Sequence, residues 1–228
     1  MIERDPSIPK LIGPELAAIM AAATPTFGPC DTCAQLTTGP RCFDCFRDAD
    51  AILAGQQTLA ASVPHEFAWA SLGSPLLVQR VRGGVQAVER ARLSVSASRV
   101  ILMGPSGSGK TSLAVAMARA WVDHHKQAAT FVLATDLASA RSRSRLGSEA
   151  DEVHQAIGAP LLVLDDLGTD RDIATSAVTE VIFKRHAESR ATWITTAMNI
   201  DEMRAKYGDG VARRVFERAR IISLVETP

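Results

Sequence analysis

The residues with the clearest chemical signal form a glycine-rich loop that fits the pattern G-x-x-x-x-G-K-[ST]. The loop consists of Gly104, Pro105, Ser106, Gly107, Ser108, Gly109, Lys110 and Thr111. It follows the apolar run Val100–Met103 and precedes residues 112–119, which favour a helix. Glycines let backbone N–H groups converge on an anion at the positive end of a helix dipole. We expect Lys110 to reach the β- and γ-phosphates and Thr111 to ligate magnesium, so the loop predicts a site for ATP or GTP.

Two adjacent acids are the second part of the predicted site. Asp165 and Asp166 directly follow the apolar run Leu161–Leu164. An acid at the end of a buried strand beside a phosphate loop holds magnesium, usually through water, and Asp165 fits that role. Asp166 is the expected base that polarises the attacking water. The alternative interpretation is an exposed Asp-Asp-Leu-Gly turn.

Four cysteines form a separate cluster near the start of the chain. Two C-x-x-C motifs are separated by eight residues, and their members are Cys30, Cys33, Cys42 and Cys45. Two such motifs supply the four thiolates of a closed, structural zinc site. An iron–sulfur cluster and a pair of disulfides are the alternatives. A segment of this size is too short to fold on its own core, so a metal would supply its stability.

Composition and charge limit the classes of protein. The chain has 228 residues, of which 46% are hydrophobic, enough for one core and a small appendage. The formal net charge of zero creates no global field toward nucleic acid or membrane, so polyanion binding would need a local patch. No apolar run approaches the roughly 18 residues that span a bilayer. Residues 1–5 lack the pattern of an export signal, which predicts a cytoplasmic protein without membrane contact.

The order of predicted elements indicates an α/β fold. Strands are expected at 130–134, 160–164 and 191–196, and helices at 9–23, 46–61, 76–82, 85–93, from 136 onward and at 173–188. Alternation of strands and helices predicts a parallel sheet between helices, with ligands at the carboxyl ends of the strands. Arg185 ends the last of these helices, where positive charge suits the helix dipole. The predicted domains are a zinc-binding partner-interaction module (1–61), a linker with leading helices (62–97) and the nucleotide-binding core (98–228).

Three segments carry a family resemblance. Leu161–Gly168, Ile194–Thr196 and Tyr207–Val215 resemble the DnaC/IstB group of AAA+ ATPases, and the similarity extends over about residues 64 to 225. That group includes bacterial and phage replicative-helicase loaders and the ATPase helpers of some transposases. The resemblance implies an AAA+ P-loop NTPase fold, ATP as the nucleotide, and hydrolysis at subunit interfaces of an ATP-dependent oligomer.

The resemblance also assigns roles to particular residues. Arg214 matches the arginine that reaches the γ-phosphate of a neighbouring subunit, and Arg213 beside it could substitute. Family members usually carry a polar sensor, commonly Asn, where this chain has Ala197. Thr196 is therefore expected to orient the water, or hydrolysis is slow. The eight residues after Arg220 are too few for the helical lid of larger AAA+ proteins.

A cluster of three arginines is the candidate contact for single-stranded DNA. Arg141, Arg143 and Arg145 alternate with serines, in a region where related loaders place a DNA-contacting helical element. Arginines and serines bind phosphates without reading bases. The alternative is a solvated basic loop.

The resemblance leaves three functions open. The first is a DnaC-like loader of a replicative DNA helicase, in which the zinc module grips the helicase. The second is an IstB-type helper that delivers target DNA to a transposase. The third, favoured by Ala197, is a nucleotide-dependent binding module with negligible hydrolysis.

Overall fold

The computed structural model of the chain describes residues 27–143, 150–170 and 175–224, with only the backbone of residues 141–143, 175 and 176. The chain divides into two compact units, Met1–Asp48 and Ala49–Pro228. Helix α1, Phe43–Ser62, crosses this division. Its residues Gly55 and Leu59 pack against other residues of the second unit. The predicted helix at 9–23 lies outside the described residues.

The described part of the first unit has almost no apolar core. Strands β1, Gly28–Pro29, and β2, Leu36–Thr37, form a short antiparallel ribbon that precedes helix α1. The only buried side chains among residues 27–48 are Cys30 and Cys42. The described part of this unit therefore has Cys30 and Cys42 as its buried contacts in place of an apolar core.

The second unit is built on a parallel sheet of five strands in the order β4-β5-β6-β3-β7. The strands are β3 Arg99–Met103, β4 Ala129–Leu133, β5 Leu161–Leu167, β6 Ala191–Thr196 and β7 Arg220–Ser223. Central strands buried on both faces are continuously apolar, as residues 161–164 are. The parallel sheet predicted from the sequence is confirmed.

Helices surround this sheet. After α1 come α2 Pro75–Arg80, α3 Gly84–Arg92, α4 Lys110–His125, α5 Ala134–Arg143, α6 Asp151–Gly158, α7 Thr175–Ala187, α8 Ile200–Tyr207 and α9 Asp209–Phe216. Alternate residues of β5 belong to different cores: Val163 packs with α4, and Leu162 packs with the apolar side of α7. Both faces of the sheet are therefore covered. No helix in the described residues is long and apolar enough to cross a membrane.

Candidate nucleotide site and cysteine cluster

The glycine-rich loop joins the end of β3 to the start of α4, as its pattern predicts. Gly109 has φ +87°, and a Cβ atom there would lie 2.8 Å from the carbonyl oxygen of Arg80. Only glycine fits this combination of backbone angle and close approach. The Arg82 N–H also donates to the Ser108 carbonyl at 3.0 Å. The segment after α2 thus shapes the loop from outside.

Lys110 lies buried within the loop. Its Nζ donates to the carbonyl oxygens of Gly104 at 2.8 Å and Pro105 at 2.9 Å. Burial lowers the pKa of Lys110, and the charges of Asp166 and Asp165 act in the opposite direction. A bound phosphate would compete with the two carbonyls for this ammonium, since an anion is the stronger acceptor.

Asp165 lies at the end of β5 with 3% of its surface exposed. Its Oδ2 accepts a hydrogen bond from the Thr111 hydroxyl at 3.0 Å, and its Oδ1 accepts one from the Thr195 hydroxyl at 2.6 Å. Burial raises the pKa of Asp165, although both hydroxyls lower it. A carboxylate beside a hydroxyl is a suitable set of hard oxygen donors for Mg²⁺. Thr111 and Asp165 are the residues that would hold this ion.

Asp166 adopts an unusual backbone conformation. Its φ is +57°, in the left-handed region, and the β5–β6 register shifts between Leu164 and Leu167. Its N–H donates to the Thr195 hydroxyl at 2.9 Å. The bulge aims the Asp166 side chain into the cleft instead of into the sheet.

A cleft of about 490 Å³ lies over the loop and both acids. Ligand pockets in proteins typically measure about 300–1,000 Å³. Beside the residues expected from the sequence, the cleft is lined by Ser112, which directly follows the loop, and by four residues from elsewhere in the chain, Glu66, Phe67, Arg80 and Leu133. No motif marks these four residues, because separate elements bring them to the loop only in the folded chain.

The two threonines at the end of β6 have different environments. The Thr196 hydroxyl, predicted to orient water, donates to the Leu167 carbonyl at 2.6 Å and accepts the Met198 N–H at 3.0 Å. Thr196 is fully buried and does not line the cleft. Thr195 contacts both acids instead. Consecutive strand residues face opposite sides of a sheet, so the sequence could have indicated that one threonine contacts the acids, but not which one.

Arg214 lies on α9 and does not line the cleft of its own chain. Its guanidinium carbon lies 3.9 Å from the centre of the Phe183 ring, and Nη1 donates to the Gly210 carbonyl at 2.9 Å. Arg213 is exposed. Of the predicted DNA contacts, Arg141 and Arg143 fall in the last turn of α5, without described side chains, and Arg145 lies outside the described residues.

The four cysteines of the first unit converge on one point. Their sulfur atoms all lie within 4.8 Å of one another, and the Cys33 and Cys42 sulfurs are 3.5 Å apart. Four thiolates bound to one zinc at about 2.3 Å would be separated by about 3.8 Å, so the cluster fits a tetrahedral site. N–H groups of Cys42 and Thr32 donate to the Cys30 sulfur and help to lower its pKa to about 6. The Cys33 thiol raises the pKa of Cys45 to about 12.

Strand order, phosphate loop and acidic strand end together define an AAA+ P-loop NTPase fold. The chain belongs to the family of IstB-like ATP-binding proteins, whose model matches residues 82–219, more than half of the sequence. No curated protein matches the sequence.

Solved structures share this fold at low sequence identity. The crystal structure of the DnaC helicase loader is similar with a TM-score of 0.62 and 22% identity, over 71% of this chain and 100% of that one. The crystal structure of DnaI is similar with a TM-score of 0.59 and 20% identity, over 72% of this chain and 95% of that one. The crystal structure of a putative primosome component from Streptococcus pyogenes serotype M3 is similar with a TM-score of 0.56 and 20% identity, over 73% of this chain and 91% of that one.

Proposed function

We propose that this chain is a cytoplasmic ATPase that loads a replicative DNA helicase. One observation carries the proposal: the cleft that joins Lys110, Thr111 and two acids lies in a fold shared with the whole length of a chain described as a helicase loader. Another similar structure is described as a putative primosome component, which points to the same process.

The residues of the cleft have separable roles in this proposal. Loop N–H groups and Lys110 hold the phosphates, and Thr111 and Asp165 hold the magnesium ion, which supplies positive charge to the γ-phosphate when bound. The Asp166 carboxylate accepts the proton of the attacking water. ATP is preferred here to GTP because the matching family is described as ATP-binding.

Self-association would complete each site. Arg214 lies outside its own cleft, so it would act in the cleft of a neighbouring chain within an ATP-dependent oligomer. Arg141, Arg143 and Arg145 would hold single-stranded DNA through its phosphates, independently of base sequence. The cysteine module would hold one structural zinc and grip the helicase, a role for which its small, almost coreless segment needs the metal.

Two substitutions test the ATPase assignment. Lys110→Ala should abolish binding of ATP, because the cation for the β- and γ-phosphates is lost. Asp166→Asn should bind ATP with wild-type affinity and release phosphate about 10²–10⁴-fold more slowly. Binding is measured with a fluorescent ATP analogue and turnover by phosphate release. Intact binding in the Lys110 variant would refute the site, and intact turnover in the Asp166 variant would refute the base.

Mixed oligomers test the role of Arg214. Arg214→Ala and Asp166→Asn chains should each be inactive, yet a mixture should regain turnover, because some interfaces then pair an intact Asp166 with an intact Arg214. Absence of recovery in verified mixed oligomers would place Arg214 outside the reaction.

Elemental analysis tests the zinc module. Protein purified without added metal should contain one zinc per chain, and chelation should unfold the cysteine module while ATP binding persists. Stoichiometric iron, or oxidised cysteines without metal, would overturn the zinc proposal.

A second candidate function is that of a transposition helper, which the match to the IstB-like family favours. Such a helper should polymerise stably on duplex DNA and bind a transposase. A loader should instead bind a purified replicative helicase and promote its transfer to single-stranded DNA. Steady-state turnover separates both from a binding module with negligible hydrolysis, the function suggested by Ala197.

A further inference from the structure

Thr195 connects the two acids of the cleft through one hydroxyl. It is 1% exposed at the end of β6, where it donates to Asp165 Oδ1 at 2.6 Å and accepts the Asp166 N–H at 2.9 Å. A backbone N–H can only donate, so the direction of the second bond is determined. The hydroxyl proton is then free for the carboxylate, and a threonine can make both bonds at once.

The hydroxyl also fills a gap in the sheet. The β5–β6 ladder pairs Leu164 with Ile194 and then resumes at Leu167 with Thr196. Asp165 and Asp166 therefore lie together opposite Thr195, as in a bulge. The Thr195 side chain takes the acceptor role that a strand carbonyl has elsewhere in the ladder.

This bond stabilises a backbone conformation that is otherwise unfavourable. The left-handed region costs most residues other than glycine about 1–2 kcal/mol, and aspartate is one of the few that adopt it when local hydrogen bonds support it. Asp166 adopts it with its N–H held by Thr195 and its carbonyl accepting the Thr169 hydroxyl at 2.8 Å. Without the Thr195 acceptor, Asp166 could return to the extended conformation, in which successive side chains alternate between the two faces of the sheet.

We infer that Thr195 is the positioning residue of the cleft, which orients the Asp165 carboxylate for the cation and the Asp166 carboxylate for the attacking water. The inference rests on the proposed ATPase function. The inference also assigns a polar residue at this end of β6 to the site, since the exposed Ala197 has no polar side chain that could orient the acids.

Thr196 provides a matched comparison on the same strand. Its hydroxyl is equally buried and also makes two hydrogen bonds, but these go to Leu167 and Met198 and to neither acid. Removal of either hydroxyl leaves its buried hydrogen-bond partners without that bond. Only loss of the Thr195 hydroxyl should change the cation dependence of nucleotide binding.

The test compares Thr195→Val, Thr195→Ser and Thr196→Val with the wild type. A fluorescent ATP analogue is titrated in EDTA and at increasing MgCl₂, kcat and KM are measured by phosphate release, and unfolding midpoints are recorded. In Thr195→Val we expect kcat to fall about 10–100-fold. The MgCl₂ concentration that gives half of the maximal effect on analogue binding should rise about tenfold, within the range for residues that orient metal ligands. Affinity in EDTA should not change, because the loop and Lys110 are intact.

The other two variants should separate positioning from packing. Thr195→Ser should show the wild-type kcat and the wild-type MgCl₂ dependence, since serine keeps the hydroxyl. Thr196→Val should lower the unfolding midpoint and keep the wild-type MgCl₂ dependence. Thr195→Ala replaces Thr195→Val if the valine variant does not fold.

Two results would overturn the inference. One is a wild-type MgCl₂ dependence and kcat in folded Thr195→Val or Thr195→Ala protein, and the other is an equal change in Thr196→Val. Either result with an active wild type leaves the ATPase proposal intact. A wild type that binds the analogue without turnover contradicts the ATPase proposal, while the MgCl₂ titration still tests the role of Thr195.

Discussion

The two ends of strand β6 each contact a buried charge, and the chain treats the two charges differently. At the start of β6, the guanidinium of Arg185 is 0% exposed and donates to the Thr192 hydroxyl. It also donates to four backbone carbonyls, those of Ala156, Ile157, Ala159 and Ala191. At the other end of β6, the hydroxyls of Thr111 and Thr195 are the only groups in the described part of the chain that donate to the Asp165 carboxylate, which also lines the cleft.

The difference shows where the fold has left charge for a ligand. Burial lowers the pKa of Arg185 to about 10, so it stays charged at neutral pH, and its carbonyl acceptors compensate for the lost water. Burial disfavours the charged form of Asp165 too and raises its pKa. The difference lies in the partners, because the Asp165 carboxylate accepts two hydroxyl hydrogen bonds and borders the open cleft, so part of its charge is not compensated by the chain. The uncompensated charge lies at the carboxyl ends of the parallel strands, where ligands bind in such sheets. Arg185 therefore stabilises the fold, and Asp165 is available for a cation.

The largest expected effect is on stability, from Arg185→Met. The apolar side chain fills a similar volume but leaves the carbonyls of the α6 end and of Ala191 without their donor. We expect a loss of more than about 3 kcal/mol in the free energy of unfolding, since each buried acceptor left unpaired costs about 1–3 kcal/mol. Chemical denaturation measures this loss.

The control for this substitution is Arg190→Met. Arg190 is partly exposed, and it donates to the exposed Gly158 carbonyl at 2.6 Å. It also pairs with Glu188 at 2.5 Å, a surface interaction worth about 0–1 kcal/mol. Equal losses in the two variants would show that the buried network of Arg185 has no special weight, and the comparison of the two strand ends would fail.

A smaller effect of opposite sign is expected for Asp165→Asn. The amide keeps both hydroxyl partners and removes the uncompensated charge. Without nucleotide, the free energy of unfolding should stay equal or rise by up to about 2 kcal/mol, the gain typical when a functional site is relieved of its cost. MgCl₂ should no longer strengthen binding of the ATP analogue in this variant. A clear loss of stability without nucleotide would show that the Asp165 charge is as well compensated as that of Arg185.

The smallest effect concerns the pH dependence of the difference in free energy of unfolding between Asp165→Asn and the wild type. The pKa of Asp165 is raised in the folded chain from its ordinary value of 3.8, so folding is weakened at pH values above the folded pKa. As the pH falls through the folded pKa toward 3.8, the carboxyl is protonated and this cost disappears. The advantage of Asp165→Asn over the wild type should therefore be largest at neutral pH and shrink on acidification. A difference that does not change with pH would contradict the assignment of the cost to the Asp165 charge.

Predictions from the sequence were most accurate where the determining interactions are local. The phosphate loop needs glycines at fixed spacing between a strand and a helix, and that requirement is written in consecutive residues. The predicted strand at 191–196 has the bounds of β6, and the predicted helix at 46–61 lies within α1. The site residues Thr111 and Asp165 could be paired from the sequence because parallel strands end at one edge of the sheet.

Predictions were less complete where contacts join distant segments. Arg185 was expected to complement the end of its own helix, but it binds the carbonyls at the end of α6. The sequence could not distinguish Thr195 from Thr196, since their faces depend on the β5–β6 register and its shift at the acids. Arg80 and Phe67 line the cleft only because the segments before β3 fold back onto the loop.

The sequence by itself therefore determined the class of the molecule: a phosphate loop, an acidic strand end, a four-cysteine cluster and alternating strands and helices. Each of these follows from short-range spacing and hydrophobic periodicity. Tertiary structure alone decided which buried charges are compensated and which residues orient the acids. Those outcomes depend on strand register and on backbone groups brought together from distant parts of the chain, and neither leaves a pattern in consecutive residues.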